Sequence, residues 1–351
     1  MTRPATASLL LSISVSEPRR NWHDESPNSS LDADRSVRSR VTTAASELVA
    51  GRERHRGRTA GFIALAAAGS IWGTPFVLGK WALEELSVSH MILMRFVFAS
   101  AVLGLAYWRE RETNPIRITR RELGIAAVAG LIGVPIQYLV QFEGLARTTV
   151  SHASLMVGVL PVMLAAAAAI FAHERLDRVG WCWLVGSTIG AGLVALGGGS
   201  ADGTNGATLL GDGLVVASLL AGVVWVLLSQ RLMRSQSPVA ATALVYIIGT
   251  VGLVIWVGST AGFPAWSGLS TRTWLSVVTM GIVGTAATTL LWNWGLSRVP
   301  ASQAGVFVNL EPVVGAILGV LVFHDRFGAV SIVGAILILA ASVAISMRNP
   351  S

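Results

Sequence analysis

The chain has 351 residues, of which 53% are hydrophobic and only 13% are charged, and its mean hydropathy is +0.63. A soluble domain of this length could not bury so much apolar surface, so lipid is expected to be part of its solvent. The formal net charge of +7 comes almost wholly from arginine, since Lys80 is the only lysine. That charge suits an anionic membrane surface better than nucleic acid, and no nucleic-acid partner is expected.

The first 59 residues differ from the rest of the chain. They are rich in Ser, Arg, Asp and Pro and show no sustained apolar period. Such a segment cannot bury enough apolar surface to fold. Residues 1–59 are therefore predicted to be a disordered basic tail on the cytoplasmic side.

From residue 60 the chain breaks into ten apolar runs of roughly 20 residues, the length that a helix needs to cross about 30 Å of hydrocarbon. The runs cover approximately 60–79, 88–108, 123–142, 150–172, 179–198, 208–230, 239–261, 273–293, 301–323 and 327–347. Gly, Ala and Ser recur within them, which allows close helix packing. The sequence predicts an all-α membrane protein with ten transmembrane helices.

The arginines indicate how the helices are oriented. Arg52, Arg54, Arg56 and Arg58 stand directly before the first run, and five arginines fill the second connection, whereas the alternate connections are nearly bare of basic residues. Basic residues concentrate in the cytoplasmic loops of membrane proteins. We expect a multi-pass protein of the cell (inner) membrane with both termini in the cytoplasm.

An internal repeat appears when the chain is shifted by 151 residues, which aligns Gly144–Val179 with Gly295–Val330 without a gap. Prolines, arginines and histidines coincide, and they match by chance far less easily than apolar residues do. The identical pairs include Arg147 with Arg298, Pro161 with Pro312, His173 with His324, Gly130 with Gly281 and Gly133 with Gly284. Two five-helix repeats are predicted, over 60–198 and 208–347.

The odd number of helices in each repeat makes the second copy enter the membrane from the opposite side. Inverted repeats recur in secondary transporters, where the two halves rock about a central site. The pattern therefore favours a transporter, with an exporter as the preferred direction. The alternative is a membrane protein that transports nothing, either a scaffold or an intramembrane lipid-modifying enzyme.

Three segments carry a resemblance to a known family. They are SIWGTPFVLGK in the first run, GLARTTVSHASLMVGVLPVMLAAAAAIFAHERL, and its partner GLSRVPASQAGVFVNLEPVVGAILGVLVFHDRF. The chain resembles the EamA family of the drug/metabolite transporter (DMT) superfamily over residues 60 to 347. The resemblance implies ten helices, a central cavity and export or uptake of amino acids, nucleotide-like metabolites, sugars or drugs. Asp325 departs from the glutamate that is more frequent at that position.

Glu311 is the clearest charged residue within a predicted span. A charged side chain at the bilayer centre costs at least about 2.5 kcal/mol on insertion scales, so it needs a partner or a function. Pro312 follows it and cannot donate a backbone hydrogen bond, which should leave the carbonyl of Val308 free. A substrate or proton site competes with a packing role here.

Other polar and aromatic residues are candidates for lining a cavity. The third run carries two amides on one helical face, and its repeat partner carries hydroxyls, an amide and an aromatic ring. Hydrogen bonding between helices is the alternative role. With the tryptophans of each half's first helix, the predicted substrate-binding residues are Trp72, Gln137, Tyr138, Gln141, Trp225, Thr288, Trp292, Asn293, Asn309 and Glu311.

Three further charged or titratable residues are assigned other roles. Arg95 is expected to pair within the bundle or anchor at the interface rather than to contact substrate. Glu143 is expected at the rim, and His152 to be a hydrogen-bonded interface residue. His173, Glu174 and Asp177 are interpreted as a solvated turn rather than a metal site.

Motifs for ATP, zinc or a catalytic serine are absent from the sequence. No cofactor, no bound metal and no enzymatic activity are therefore expected. The expected partners are a small-molecule substrate and membrane lipids, with protons as a candidate coupling ion against simple facilitated diffusion. The sequence leaves the substrate and the oligomeric state open.

Overall fold

The computed structural model describes residues 57–113, 117–171, 178–197, 207–263, 267–299 and 304–347, and every regular element in these ranges is a helix. The prediction of an all-helical membrane protein is confirmed. Eight helices are long and apolar enough to cross a membrane: α1 (Gly57–Ala82), α2 (Val88–Thr113), α3 (Arg120–Ala146), α4 (Val150–Ala167), α5 (Arg178–Leu196), α6 (Leu209–Leu232), α7 (Pro238–Thr260) and α8 (Thr271–Leu296).

Two shorter apolar helices follow, α9 (Phe307–Phe323) and α10 (Ala329–Ala344). Of the ten predicted spans, eight are therefore matched by helices of membrane-spanning length among the described residues, and the last two by shorter apolar helices. The described part of α9 begins with 3-10 geometry over Gly305–Asn309, and its α-helical part begins at Leu310. At 1.5 Å per residue its 17 residues cover about 25 Å. The expected tail lies outside the described residues, apart from residues 57–59, which belong to α1.

Many large apolar side chains point outward from the bundle. Leu196, Ile255 and Leu321 are 72%, 67% and 67% exposed. Exposed apolar side chains on this scale indicate a surface that lipid covers. The interior is packed around fully buried residues such as Phe96 and Phe142.

The helix contacts follow the repeat. If α1–α5 are exchanged with α6–α10, the extensive α1·α8 contact becomes the α6·α3 contact, which is also extensive. The α2·α7, α4·α9 and α5·α10 pairs map onto themselves. The helix contacts between the two halves are therefore unchanged when the halves are exchanged, as expected for a two-fold symmetric pair. Helices of each half pack mainly against helices of the other half.

Glycines at matching positions allow two of these close contacts. A Cβ at Gly130 of α3 would lie 2.9 Å from the backbone nitrogen of Gly249 in α7. A Cβ at Gly281 of α8 would lie 2.8 Å from Cβ of Phe98 in α2. Both positions require a residue without a side chain for the backbones to approach.

The α-helical pattern is interrupted at corresponding places in the two halves. Helix α3 contains a π-helical turn over Ile132–Ile136, which includes Pro135. Helix α8 contains a π-helical turn over Ile282–Ala287, which the 151-residue shift places on the first. Helix α1 turns at Gly73, just before Pro75. These interruptions lie beside the cavity described next.

Candidate functional site

A cavity of about 450 Å³ lies within the bundle, lined by α1, α2, α3, α4, α6, α7, α8 and α9. Its volume suits a small organic molecule. Eight of the ten predicted substrate-binding residues line it, namely Trp72, Gln137, Tyr138, Gln141, Trp225, Trp292, Asn293 and Glu311.

The other two predicted residues, Thr288 and Asn309, are not among the lining residues and have different surroundings. Thr288 is buried, and its hydroxyl donates to the carbonyl of Val283 within α8 at 2.5 Å. The Asn309 side chain accepts a hydrogen bond from the Ser342 hydroxyl of α10. The neighbouring Thr289 lines the cavity, directly after the π-helical turn of α8.

Aromatic rings form much of the cavity wall. The rings of Trp72 and Trp292 are 5.0 Å apart between centroids, so they join α1 to α8. The ring of Trp225 in α6 is 6.2 Å from that of Tyr246 in α7. Tilted ring pairs of this kind offer rigid apolar area to a ligand.

Gly133 fixes the position of Trp225. A Cβ added to Gly133 would lie within 3.0 Å of the indole Nε1, so only glycine leaves room for the ring. The corresponding glycine of the second half, Gly284, lies against the ring of Pro75. The glycines and π-helical turns of the two halves therefore shape opposite walls of one cavity.

Buried polar atoms without a protein partner are concentrated at this cavity. Seven such atoms occur among the described residues, and five belong to residues that line it. They are Arg95 Nη1, Gln137 Oε1, Trp225 Nε1, Ser229 Oγ and Asn293 Nδ2. Buried polar groups are normally hydrogen-bonded, so these five atoms are candidates for hydrogen bonds to a ligand in the cavity.

Arg95 lines the cavity, although the sequence favoured pairing or anchoring for it. Its side chain is almost fully buried, at 3% exposure, and its Nε donates to the Thr285 hydroxyl at 3.0 Å. The guanidinium carbon lies 4.7 Å from the ring centroid of Tyr138. Cation–π contact replaces part of the lost hydration, but it supplies no counter-charge.

Glu311 enters the cavity from the first turn of the α-helical part of α9. The preceding 3-10 helix changes one expectation. Backbone N–H groups at its end donate to the carbonyls of Phe307 and Val308, so the Val308 carbonyl is not free. Pro312 therefore leaves no unpaired acceptor at that carbonyl, and the carboxylate is the polar feature that the helix contributes.

A second polar cluster lies beyond one end of the cavity. Nδ1 of His152 is 2.9 Å from Oδ2 of Asp212, and the Thr148 hydroxyl donates to Oδ1 of Asp212 at 2.5 Å. His152 and Asp212 are each 1% exposed. Nearby, the backbone N–H of Ser151 donates to Asp325 at 2.8 Å. We call His152, Asp212 and Thr148 the α4–α6 cluster.

The α4–α6 cluster was not predicted. His152 was expected to be a hydrogen-bonded interface residue, and its partner Asp212 was not singled out. Asp212 lies in the first turn of α6, where an acidic residue is favoured by the helix dipole and attracts no attention in a sequence. At the same end of the bundle, Nζ of Lys80 in α1 donates hydrogen bonds to the carbonyls of Leu145 and Thr148, at 3.0 and 2.8 Å, and so links α1 to the end of α3.

Exposed connections at this end also join the two halves. Arg272 pairs with Glu84, and Ser270 donates its backbone N–H to Glu85 at 2.8 Å. Hydrogen bonds from Ser270 hold the pKa of the Glu85 carboxyl below its usual value. Glu143 pairs with Arg147, and both side chains are over 40% exposed, consistent with a position at the rim.

The cavity extends toward the opposite end of the bundle. Its lining includes Ser229 and Met233 near the end of α6, Thr242 near the start of α7 and Leu296 at the end of α8. The two ends of the bundle are therefore unequal, since the other carries the buried α4–α6 cluster.

The described residues contain no group of three or more His, Cys, Asp or Glu side chains that could hold a metal ion. His173, Glu174 and Asp177 lie outside the described residues. Cys182 is exposed on α5 and takes no part in the cavity.

The chain is similar in sequence to known membrane transporters. Residues 59–196 and 209–347 each match the model of the EamA-like transporter family. The chain is 24% identical over 274 residues to the uncharacterized transporter YetK of Bacillus subtilis, covering 78% of this chain and 82% of that protein. It is 23% identical over 285 residues to a protein of Streptantibioticus cattleyicolor named as a probable terminal-alkyne amino-acid exporter, covering 79% and 90%.

A solved crystal structure superimposes on the chain with a TM-score of 0.56 at 19% sequence identity, covering 82% of this chain and 98% of that chain. This likeness shows a shared fold. The two family matches span both halves and most of the length, and the relatives are named as transporters. The chain therefore belongs to the EamA-like transporter family of the drug/metabolite transporter superfamily, and it is a multi-pass membrane transporter rather than an enzyme.

Proposed function

We propose that the protein exports a small polar or amphipathic metabolite through the inner membrane by alternating access around the central cavity. The observation that carries the proposal is the concentration of unpartnered buried polar atoms at the cavity wall. Unpaired buried polar atoms destabilise a protein, and a scaffold has no ligand to satisfy them. A substrate that binds in the cavity can form the missing hydrogen bonds.

The exchange symmetry of the helix contacts supports alternating access. In the proposed topology all ten helices cross the membrane, both termini are cytoplasmic and the halves are inverted. Two-fold symmetry then relates an arrangement that is open at one end to one that is open at the other. The cavity extends to the end where α6 and α8 finish, which is the cytoplasmic end in this topology.

Glu311 is the proposed site of proton coupling. Among the described residues it is the one carboxylate in the cavity lining, and Arg95 is near enough to interact with it electrostatically. Ionisable residues within membrane helices mark proton and substrate pathways in many carriers. The relative named as an amino-acid exporter adds amino acids to the solutes that should be tested first.

The test is solute movement in proteoliposomes. Amino acids, purines and cationic drugs are screened with and without an imposed pH gradient, for the wild-type protein, Glu311→Gln and the rim control Glu143→Gln. We expect one solute class to move and the gradient to change its rate in the wild type and the control but not in Glu311→Gln.

The outcomes separate the two parts of the proposal. Movement that ignores the gradient and survives Glu311→Gln keeps the carrier and removes Glu311 as its coupling site. No movement of any solute, by protein shown to be folded and monodisperse, contradicts the export function itself.

A further inference from the structure

A groove of about 580 Å³ lies on the outer surface of the bundle, and the residues that line it do not line the central cavity. Its floor is one face of α3, and its sides are the start of α6 and the end of α7, which both pack on α3. Its apolar lining includes Ile136, Leu139, Val140, Leu210, Leu214 and Trp256. Ile136 and Leu210 are 53% and 64% exposed, so the groove opens to the surroundings of the protein, which in a membrane are lipid.

The length of the groove matches one leaflet of a bilayer. Its lining along α3 runs from Pro135 to Arg147, which is about 18 Å at the helical rise of 1.5 Å per residue. One half of the hydrocarbon core is about 15 Å thick. Helices α6 and α7 contact each other little, which leaves this space open. An acyl chain in the groove would reach from the bilayer centre to the level of the lipid head groups.

A pair of opposite charges stands at the end of the groove. Glu143 and Arg147, at the end of α3, line it and pair with each other, and their side chains are 42% and 45% exposed. The hydrogen bonds of the Arg147 side chain among the described residues all come from Nη1, which donates to the carbonyl and the carboxylate of Glu143. Within that part of the chain, the other guanidinium N–H groups and the second Glu143 carboxylate oxygen therefore keep their capacity to bind a ligand.

We propose that the groove is a binding site for a zwitterionic phospholipid with a primary ammonium head group, phosphatidylethanolamine. One acyl chain packs along α3 between α6 and α7. The lipid phosphate accepts hydrogen bonds from Arg147, and the lipid ammonium donates to Glu143. A bound lipid of this kind joins α3 of the first half to α6 and α7 of the second.

Other phospholipids fit the charged pair less well. Phosphatidylcholine offers the same phosphate, but its quaternary ammonium has no N–H to donate to Glu143. Phosphatidylglycerol carries a negative charge without a cation and brings that charge close to the Glu143 carboxylate. Selection therefore comes from the ammonium contact and from the penalty on an unbalanced anion.

The matching position of the second half has different chemistry. The 151-residue shift places Glu143 on Trp294 and Arg147 on Arg298. The Arg298 guanidinium carbon lies 3.7 Å from the ring centroid of Trp294, where the first half has a carboxylate. That position offers a cation but no carboxylate for an ammonium group, so Arg298 serves as a matched control for Arg147.

The experiment is native mass spectrometry of the purified full-length protein, incubated with equimolar phosphatidylethanolamine, phosphatidylcholine and phosphatidylglycerol that carry the same acyl chains. For the wild type we expect at least about threefold more phosphatidylethanolamine adduct than either competitor, which is the scale of one ion pair in a half-exposed site.

Three variants separate the contributions of head group and acyl chain. Glu143→Gln is expected to bind phosphatidylethanolamine and phosphatidylcholine equally. Arg147→Gln should weaken both, because both offer a phosphate, and Leu214→Trp should reduce all three lipids by filling the groove. The controls Arg298→Gln and Leu321→Trp, the latter on the exposed face of α9, should keep the wild-type pattern.

Folding is checked by gel filtration and thermal unfolding. If Leu214→Trp does not fold, Leu210→Trp fills the same groove from a more exposed position. Equal adducts of the three lipids on the wild type, or a preference for phosphatidylethanolamine that persists in Glu143→Gln, overturns the proposal. A dimer without lipid adducts that Leu214→Trp dissociates also overturns it, because a second copy of the chain would then occupy the groove.

Discussion

Asp212 holds together residues from both halves of the chain. Its two carboxylate oxygens accept from Thr148 and contact the His152 ring, and all three side chains are buried. The His152 ring also stacks on Phe327, at 6.0 Å between centroids. The α4–α6 cluster therefore links α4 to α6 and to the segment before α10 at the end opposite the cavity's extension.

We predict that Asp212→Ala destabilises the protein. The substitution leaves the Thr148 hydroxyl and the His152 ring buried without their partner, which should lower the free energy of unfolding by about 3 kcal/mol. Thermal unfolding of the purified protein in detergent measures the loss. The control is Glu143→Ala, because the exposed Glu143–Arg147 pair should contribute less than about 1 kcal/mol. Equal shifts for the two variants would contradict a structural role for the α4–α6 cluster.

Sequence reasoning succeeds with single residues where the membrane makes a polar group expensive. Glu311 was selected on that basis, and it lies at the cavity, as does Gln137, which was selected because it shares a helical face with a second amide. Arg95 was recognised as a charge within a span, but its lack of a counter-ion depends on which helices surround it. Asp212 was missed because its partner is 60 residues away in the chain.

Hydropathy determines where the described helices lie, and local interruptions of the α-helical pattern determine their shape beside the cavity. The apolar runs indicated where helices lie. The π-helical turns of α3 and α8 were not predictable, since a change of helical register depends on what the helix packs against. The traces they leave in the sequence are Pro135 within the first turn and the alignment of Gly133 with Gly284.

We predict that Gly133→Ala disrupts the cavity wall. The added methyl group would occupy the position of the Trp225 indole ring, and overpacking of this kind costs about 1 to 3 kcal/mol. We expect a lower unfolding temperature and weaker solute binding. The matched control is Gly186→Ala in α5, where a Cβ would meet nothing within 4 Å. That variant should be as stable as the wild type, and similar losses in both would show that Gly133 is not needed for the packing of Trp225.

For the whole molecule, the internal repeat was the most informative feature of the sequence. A shift of 151 residues anticipated the exchange symmetry of the helix contacts, because duplicated segments pack through duplicated surfaces. The repeat could not indicate which end of the cavity is open. That choice depends on asymmetric residues, since Asp212 and His152 form a buried pair at one end only.

We predict that the cavity is reached from the cytoplasmic side in the arrangement described here. Ser229→Cys, in a Cys182→Ser background that removes the exposed native thiol, places a thiol in the lining near the end of α6. A membrane-impermeant maleimide should label it faster in inside-out vesicles than in right-side-out vesicles, and a transported solute should slow the labelling. Ser218→Cys is the control, because Ser218 is buried in the same helix at 2% exposure and should resist labelling from either side. The periplasmic end of the proposed topology is the one that carries the α4–α6 cluster, Lys80 and the Arg272–Glu84 pair, so labelling from that side should be slow. Faster labelling in right-side-out vesicles would contradict the proposed orientation of the open end.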